Sequence, residues 1–199
     1  MKVKLPSDID YTKYNSTSGM ATKIWGSQLW TSLFTCVMGR YPIKINKKNK
    51  EHLKVKKSFK TLLTSLDTIM PCVFCRNSFT VFLKELPIES YLVGRIELMY
   101  WLYLMKDKVN NKLLNQEKKC YDDEKKRLKT LYKKGKLTQE DYYKQIEKFK
   151  NGSFITQPTP PFNEVLDKYE AIRATCSKRA QACVLPMGVT SPIRINSLK

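Results

Sequence analysis

Apolar residues that return every three or four positions, and through the first 180 residues never convincingly every two, commit this chain to a helical fold. The first run begins at Lys23, where Trp25, Leu29, Trp30, Leu33 and Val37 recur at helical spacing until Tyr41-Pro42 ends it. After a basic loop, Asn46 to Lys50, a second run carries Leu53, Phe59, Leu62, Leu63, Leu66 and Ile69 and breaks at Pro71. A third covers Val73 to Leu83, with Cys72 at or just before its start and Pro87 beyond its end. The pattern predicts a fourth helix from about Tyr91 to Leu113, capped by Ser90, with Leu92, Ile96, Met99, Tyr103 and Val109 inward. A last helix is expected over Phe162 to Ala182, with Val165, Leu166, Tyr169 and Ile172 on its apolar side. Short connections between such helices suit an all-α four-helix bundle with one additional C-terminal helix.

Residues 114–151 differ in character. Lys, Glu and Asp dominate, and apolar positions are sparse. Lys134-Gly135-Lys136 reads as a turn between two amphipathic helices, with Thr138 capping the second. This is an inserted basic helical hairpin. The expected organisation is a loose N-terminal arm (1–22), a helical core (23–113), the insertion with its proline-rich linker (114–160), and a C-terminal helix with a loose tail (161–199).

The net charge of +19 is concentrated between Lys44 and Lys60 and between Lys106 and Lys150. Such a surface attracts polyanions or an acidic partner, although exposed lysines are also simply well solvated. No glycine-rich phosphate loop, helix-turn-helix or zinc-finger pattern is present to give nucleotide or nucleic-acid recognition a specific form. Met1 to Tyr14 is polar and lacks the apolar core of a signal peptide. Tyr91 to Met105 is apolar but too short to span a bilayer, so a cytoplasmic protein is expected.

In that setting a close cysteine pair is more often catalytic or metal-binding than a structural staple. Pro71-Cys72-Val73-Phe74-Cys75-Arg76 places Cys72 where unpaired N–H groups and the helix dipole favour thiolate, with Arg76 adding a cation. Zinc would need further ligands, and a thioredoxin-like site would need strands around the pair. A redox pair on a helix bundle remains, with no metal. Cys176 and Cys183, seven positions apart, can approach within bridging range as a structural clip or a shuttle pair. Cys36 reads most simply as a small core residue, and Cys120 as free or intermolecular.

Three blocks resemble the Erv/ALR family of FAD-linked sulfhydryl oxidases, especially members encoded by large DNA viruses. They are Trp25-Gly26-Ser27-Gln28-Leu29-Trp30-Thr31-Ser32-Leu33 with Tyr41-Pro42, Met70-Pro71-Cys72-Val73-Phe74-Cys75-Arg76-Asn77-Ser78-Phe79, and Trp101 to Leu113. Tyr169 to Cys176, with Cys183 following, is a weaker echo. The resemblance implies a homodimeric bundle holding FAD. Cys72 would exchange with substrate protein thiols or a thioredoxin-like carrier, Cys75 would face the flavin, and O2 would accept the electrons as hydrogen peroxide. It also implies flavin contacts for Trp25, Gly26, Trp30, Phe34, Tyr41, Trp101 and Lys106, with Val109, Asn110 and Lys112 at the adenine end. Phe34 and Lys106-Asp107 stand where the family usually has histidine and His-Asn. Two other readings are a non-catalytic, dimeric family scaffold and a basic polyanion-binding helical protein. A viral member would reside in host cytoplasm or the virion.

Overall fold

The computed structural model describes residues 9–153, 156–177 and 182–184, and among these the chain is all-α apart from one small β-ribbon. Helices α1 (Thr22–Arg40), α2 (Lys50–Thr64), α3 (Leu66–Ile69), α4 (Val73–Glu85) and α5 (Arg95–Lys133) build the bundle. Helix α6 (Gln139–Ser153) folds back on α5, and α7 (Phe162–Glu170) packs on both α1 and α5. The ribbon pairs β1 (Thr175–Ser177) with β2 (Ala182–Val184) in antiparallel register. The first eight residues and the predicted tail after Leu185 lie outside the described residues.

Each helix starts and stops where its residues dictate. The Asn49 side chain accepts from the N–H groups of Glu51 (2.9 Å) and His52 (3.2 Å), which caps α2 and directs Val55, Phe59 and Leu63 into the core. α1 ends before Pro42, and its buried face is Leu33, Phe34, Val37 and Met38. Cys36 lies on the other side of α1 and is exposed, not a core residue as its apolar character suggested. The core continues in α5 through Leu98, Met99, Trp101, Leu102 and Met105.

α5 departs most from expectation. It starts at Arg95 rather than Tyr91, because Val93 and Gly94 first run extended beside Ile43 to Ile45. The Val93 carbonyl accepts from the Ile45 N–H at 2.8 Å, and a Cβ on Gly94 would sit 2.7 Å from the Ile43 carbonyl. Glycine is therefore required at that close approach. The later start turns Ile96 outward, 45% exposed. The helix also does not stop at Leu113. No proline or glycine interrupts it before Gly135, so the change to charged residues marks a change in exposure and not a break.

The hairpin turn falls where expected. Gly135 adopts φ 68°, and the Thr138 hydroxyl accepts from the Asp141 N–H at 3.1 Å to cap α6. Leu128, fully buried, holds the two arms together with the Tyr132–Tyr142 ring pair. From there the linker returns along α5. Thr156 bonds the Glu117 carboxylate and Thr159 bonds Asn110 at 2.8 Å. Three extended residues of about 3 Å each match the roughly 10 Å between positions 117 and 110 of a helix.

α7 ends at Glu170, not Ala182 as its opening periodicity suggested. Arg173 turns back to Glu170 and to the Met38 carbonyl, and Thr175-Cys176-Ser177 enters the ribbon. Thr, Cys and Ser are weak helix formers, and tertiary pairing decides among such residues. Cys176 and Cys183 are direct partners in the ladder.

Candidate active site

Cys72 is the N-cap of α4. Its carbonyl accepts from the N–H groups of Cys75 (3.1 Å) and Arg76 (3.0 Å), and its Sγ accepts from the Cys75 N–H at 3.3 Å. The two cysteines are disulfide-bonded with Cα atoms 5.2 Å apart. On reduction, the Cys72 sulfur would already hold an N–H donor at the positive end of a helix, the setting that lowers a thiol's pKa. Arg76 is bonded to the loop before the pair. Its guanidinium donates to the Met70 carbonyl and so holds the loop that delivers Cys72. Both cysteines are half-buried, while Phe74 between them is 77% exposed and Val73 is exposed beside it.

The N-terminal arm reaches this loop. The Met20 N–H donates to the Pro71 carbonyl at 3.0 Å, and the Trp25 indole N–H donates to the Met20 carbonyl at 3.2 Å. The end of the arm, at Met20, is therefore tied to the redox loop, while residues 12–19 before it are exposed.

One stripe of α1 runs on from Trp25. Gly26, Trp30 and Phe34 follow at four-residue intervals, and a Cβ at Gly26 would meet nothing within 4 Å. Trp30 is half-buried with its ring 6.4 Å from Phe34. Phe34 lines a cavity of about 160 Å³ between α1, α5, α7 and the linker. Opposite it are Tyr103 and Lys106 of α5, Thr159 of the linker, and Lys168 and Tyr169 of α7. Phe34 and Tyr169 stack at 5.0 Å.

Burial pulls the Lys106 ammonium down from its usual range, and the charge of Lys168 adds to the effect. Burial also raises the Tyr169 phenol, an effect the Thr31 hydroxyl partly offsets. Among the described salt bridges neither lysine has a carboxylate partner, although Glu164 also lines the cavity. A half-buried cation, Lys106, and an exposed one, Lys168, beside aromatic faces suit a ligand that carries both a ring system and phosphate. The cavity is smaller than the roughly 300–1,000 Å³ of ordinary cofactor pockets. It has room for only one part of such a ligand.

Not every expected site residue gathers here. Asn110 reaches the cavity rim through Thr159, and Val109 is half-buried. Lys112 turns the other way and contacts the Ser78 hydroxyl on α4, one turn beyond Cys75. Tyr41 and Trp101 are fully buried frame residues. The Tyr41 hydroxyl donates to the Leu92 carbonyl at 3.1 Å, its own carbonyl accepts from Arg95, and burial pushes its phenol up to about 12. The Trp101 indole N–H donates to the Leu86 carbonyl at 3.0 Å.

As site residues Thr159 and Lys168 escape sequence reasoning, which places Tyr103 and Tyr169 only on inward helix faces. Only the linker's return brings α7 against α5, and no local pattern announces that. Among the described residues no group of three or more His, Cys, Asp or Glu side chains could hold a metal ion, and no helix is long and apolar enough to cross a membrane.

A family model described as the Erv1 / Alr family matches residues 27–132, just over half of the chain. The match takes in Trp30, Phe34, Cys72, Cys75, Lys106 and Asn110, and stops short of α7. No curated protein matches.

Proposed function

The chain belongs to the Erv1 / Alr family, a family of thiol oxidases, and on that premise we propose that it is an FAD-dependent oxidase that forms disulfides in substrate proteins. The observation that carries the reading is the Cys72–Cys75 disulfide at the N-terminus of α4, with Cys72 Sγ already accepting an N–H. A substrate thiolate attacks Cys72 Sγ, the Cys72–Cys75 bond breaks, and Cys75 leaves as thiolate. The second substrate thiolate then attacks the substrate sulfur of the mixed disulfide and releases the Cys72 thiolate, which the helix N-terminus stabilises. The substrate gains a disulfide and gives up two electrons and two protons, and the pair holds the electrons as a dithiol.

Bound FAD supplies the chemistry that takes those two electrons to O2 and yields hydrogen peroxide. Gly26, Trp30 and Phe34 of α1, Lys106, Val109 and Asn110 of α5, and Lys168 and Tyr169 of α7 would hold it. Lys106 and Lys168 would serve the phosphates in place of histidine. Trp25 closes the redox end of the stripe, Lys112 braces α4, and Tyr41 and Trp101 set the frame. The reading includes a homodimer, a thioredoxin-like carrier as one source of thiols, and a cytoplasmic setting, in host cytoplasm or virion if the gene is viral. It also includes an acidic partner or polyanion for the basic hairpin, and Cys176–Cys183 as a clip or shuttle.

Oxygen consumption tests it. With dithiothreitol as reductant, FAD-supplemented protein should take up one O2 per dithiol oxidised, and catalase should return half of that oxygen. Uptake no faster than buffer with FAD alone would overturn the proposal.

A further inference from the structure

We infer that Gly19 and Met20 form a strap lying where an extended substrate segment docks beside Cys72, so that the protein's preferred substrates are thiols on unfolded, apolar stretches of polypeptide that displace it. The inference rests on the oxidase reading for the role of Cys72 and goes beyond it in naming how substrate arrives.

The strap is tied by its backbone. The Met20 N–H donates to the Pro71 carbonyl at 3.0 Å, and the Met20 carbonyl accepts from Trp25. Pro71 O belongs to the peptide unit that leads directly into Cys72. A Cβ on Gly19 would stand 2.5 Å from that oxygen and 3.6 Å from the Cys72 Cα. Only glycine allows the arm this close to the peptide unit that precedes the residue that must receive a substrate sulfur.

An extended chain is the occupant such a place accepts. It offers a main-chain N–H to the exposed carbonyl, as an added strand does at a sheet edge. The neighbourhood is also apolar and open, with Phe74 77%, Ile69 62%, Met20 67% and Val73 49% exposed. Isolated apolar residues on a surface need no explanation, but Val73 and Phe74 lie between the two cysteines, Ile69 three residues before them, and Met20 on the strap itself. A folded protein keeps its backbone N–H groups paired and its apolar side chains inside, so it competes for neither feature. An unfolded segment brings both.

The strap therefore lowers the fraction of molecules ready for a polypeptide thiol, whereas a small dithiol approaches the sulfur without needing the Pro71 carbonyl. Two full-length variants test this, Gly19→Ala, which forces the arm off Pro71, and Met20→Pro, which removes the donor. The readout is the rate at which the Cys72–Cys75 disulfide is reduced, followed by acid quench, alkylation and mass spectrometry, which needs no flavin. One reductant is dithiothreitol and the other an unstructured, apolar dithiol peptide. With the peptide both variants should react about three- to tenfold faster, the range that loss of one backbone hydrogen bond gives. With dithiothreitol they should change less than twofold.

Equal peptide rates in parent and variants, or slower ones in both variants, would overturn the strap. So would an acceleration shared equally by dithiothreitol. Split rates in a protein that consumes no oxygen would leave the strap standing and remove the oxidase reading.

Discussion

Replacing Cys75 by alanine is expected to lower thiol-dependent oxygen uptake by at least about a thousandfold while leaving bound flavin in place. Without Cys75 no internal disulfide exists for substrate to attack, and the two electrons have no route from the lone thiol at Cys72. Cys72→Ala should fall nearly as far. That variant loses the same disulfide, and any residual uptake would be direct reduction of the flavin by the small dithiol. Neither substitution touches the cavity lined by Phe34, Lys106 and Tyr169. Purified variants should therefore carry flavin in the parent's proportion, read from their visible absorbance. Loss of flavin from either would show that the pair braces the fold, and undiminished oxygen uptake would show that the electrons take another path.

The second large effect is on stability. Trp101 has no exposed surface, and its indole N–H satisfies the Leu86 carbonyl, one of the unpaired carbonyls at the end of α4. Trp101→Ala removes about 3–5 kcal/mol of packing and leaves a carbonyl without its donor, which costs about 1–3 kcal/mol more. Against a usual total of about 5–15 kcal/mol, that leaves the bundle marginal or unfolded. Trp101→Phe keeps most of the ring and should cost well under half as much. Urea titrations followed by far-ultraviolet circular dichroism measure both. A loss below about 1 kcal/mol for the alanine variant would mean that this contact does not hold α4 to α5.

The residues that the sequence makes legible are those whose neighbours in the chain are also their neighbours in space. Cys72 announces itself because Pro71 stops one helix and Val73 starts the next, and the cap geometry follows from that junction alone. Thr138 is a similar case. Where pairing is remote, local pattern fails. Gly94 looks like an ordinary helix residue until Ile43 is laid beside it. Leu113 looks like an end because charged residues follow, yet charge on a helix surface is no obstacle to the helix. The ribbon holding Cys176 opposite Cys183 replaces two helical turns that the periodicity of α7 had promised.

The same distinction explains the site. Gly26, Trp30 and Phe34 share a stripe by helical spacing, so their grouping is readable. Lys168 and Tyr169 join them only through the linker contacts at Thr156 and Thr159. The docked arm is the extreme case, since a hydrogen bond between the backbones of Met20 and Pro71 leaves no mark on side-chain composition.

The most direct test of the central claim, that electrons pass from dithiol through Cys72–Cys75 to a bound flavin and on to O2, is a visible spectrum of the purified protein. The account predicts a flavin band near about 450 nm that bleaches when dithiothreitol is added without air and returns when air is admitted. A protein that stays colourless after incubation with FAD, or whose flavin dithiothreitol leaves oxidised, would contradict it.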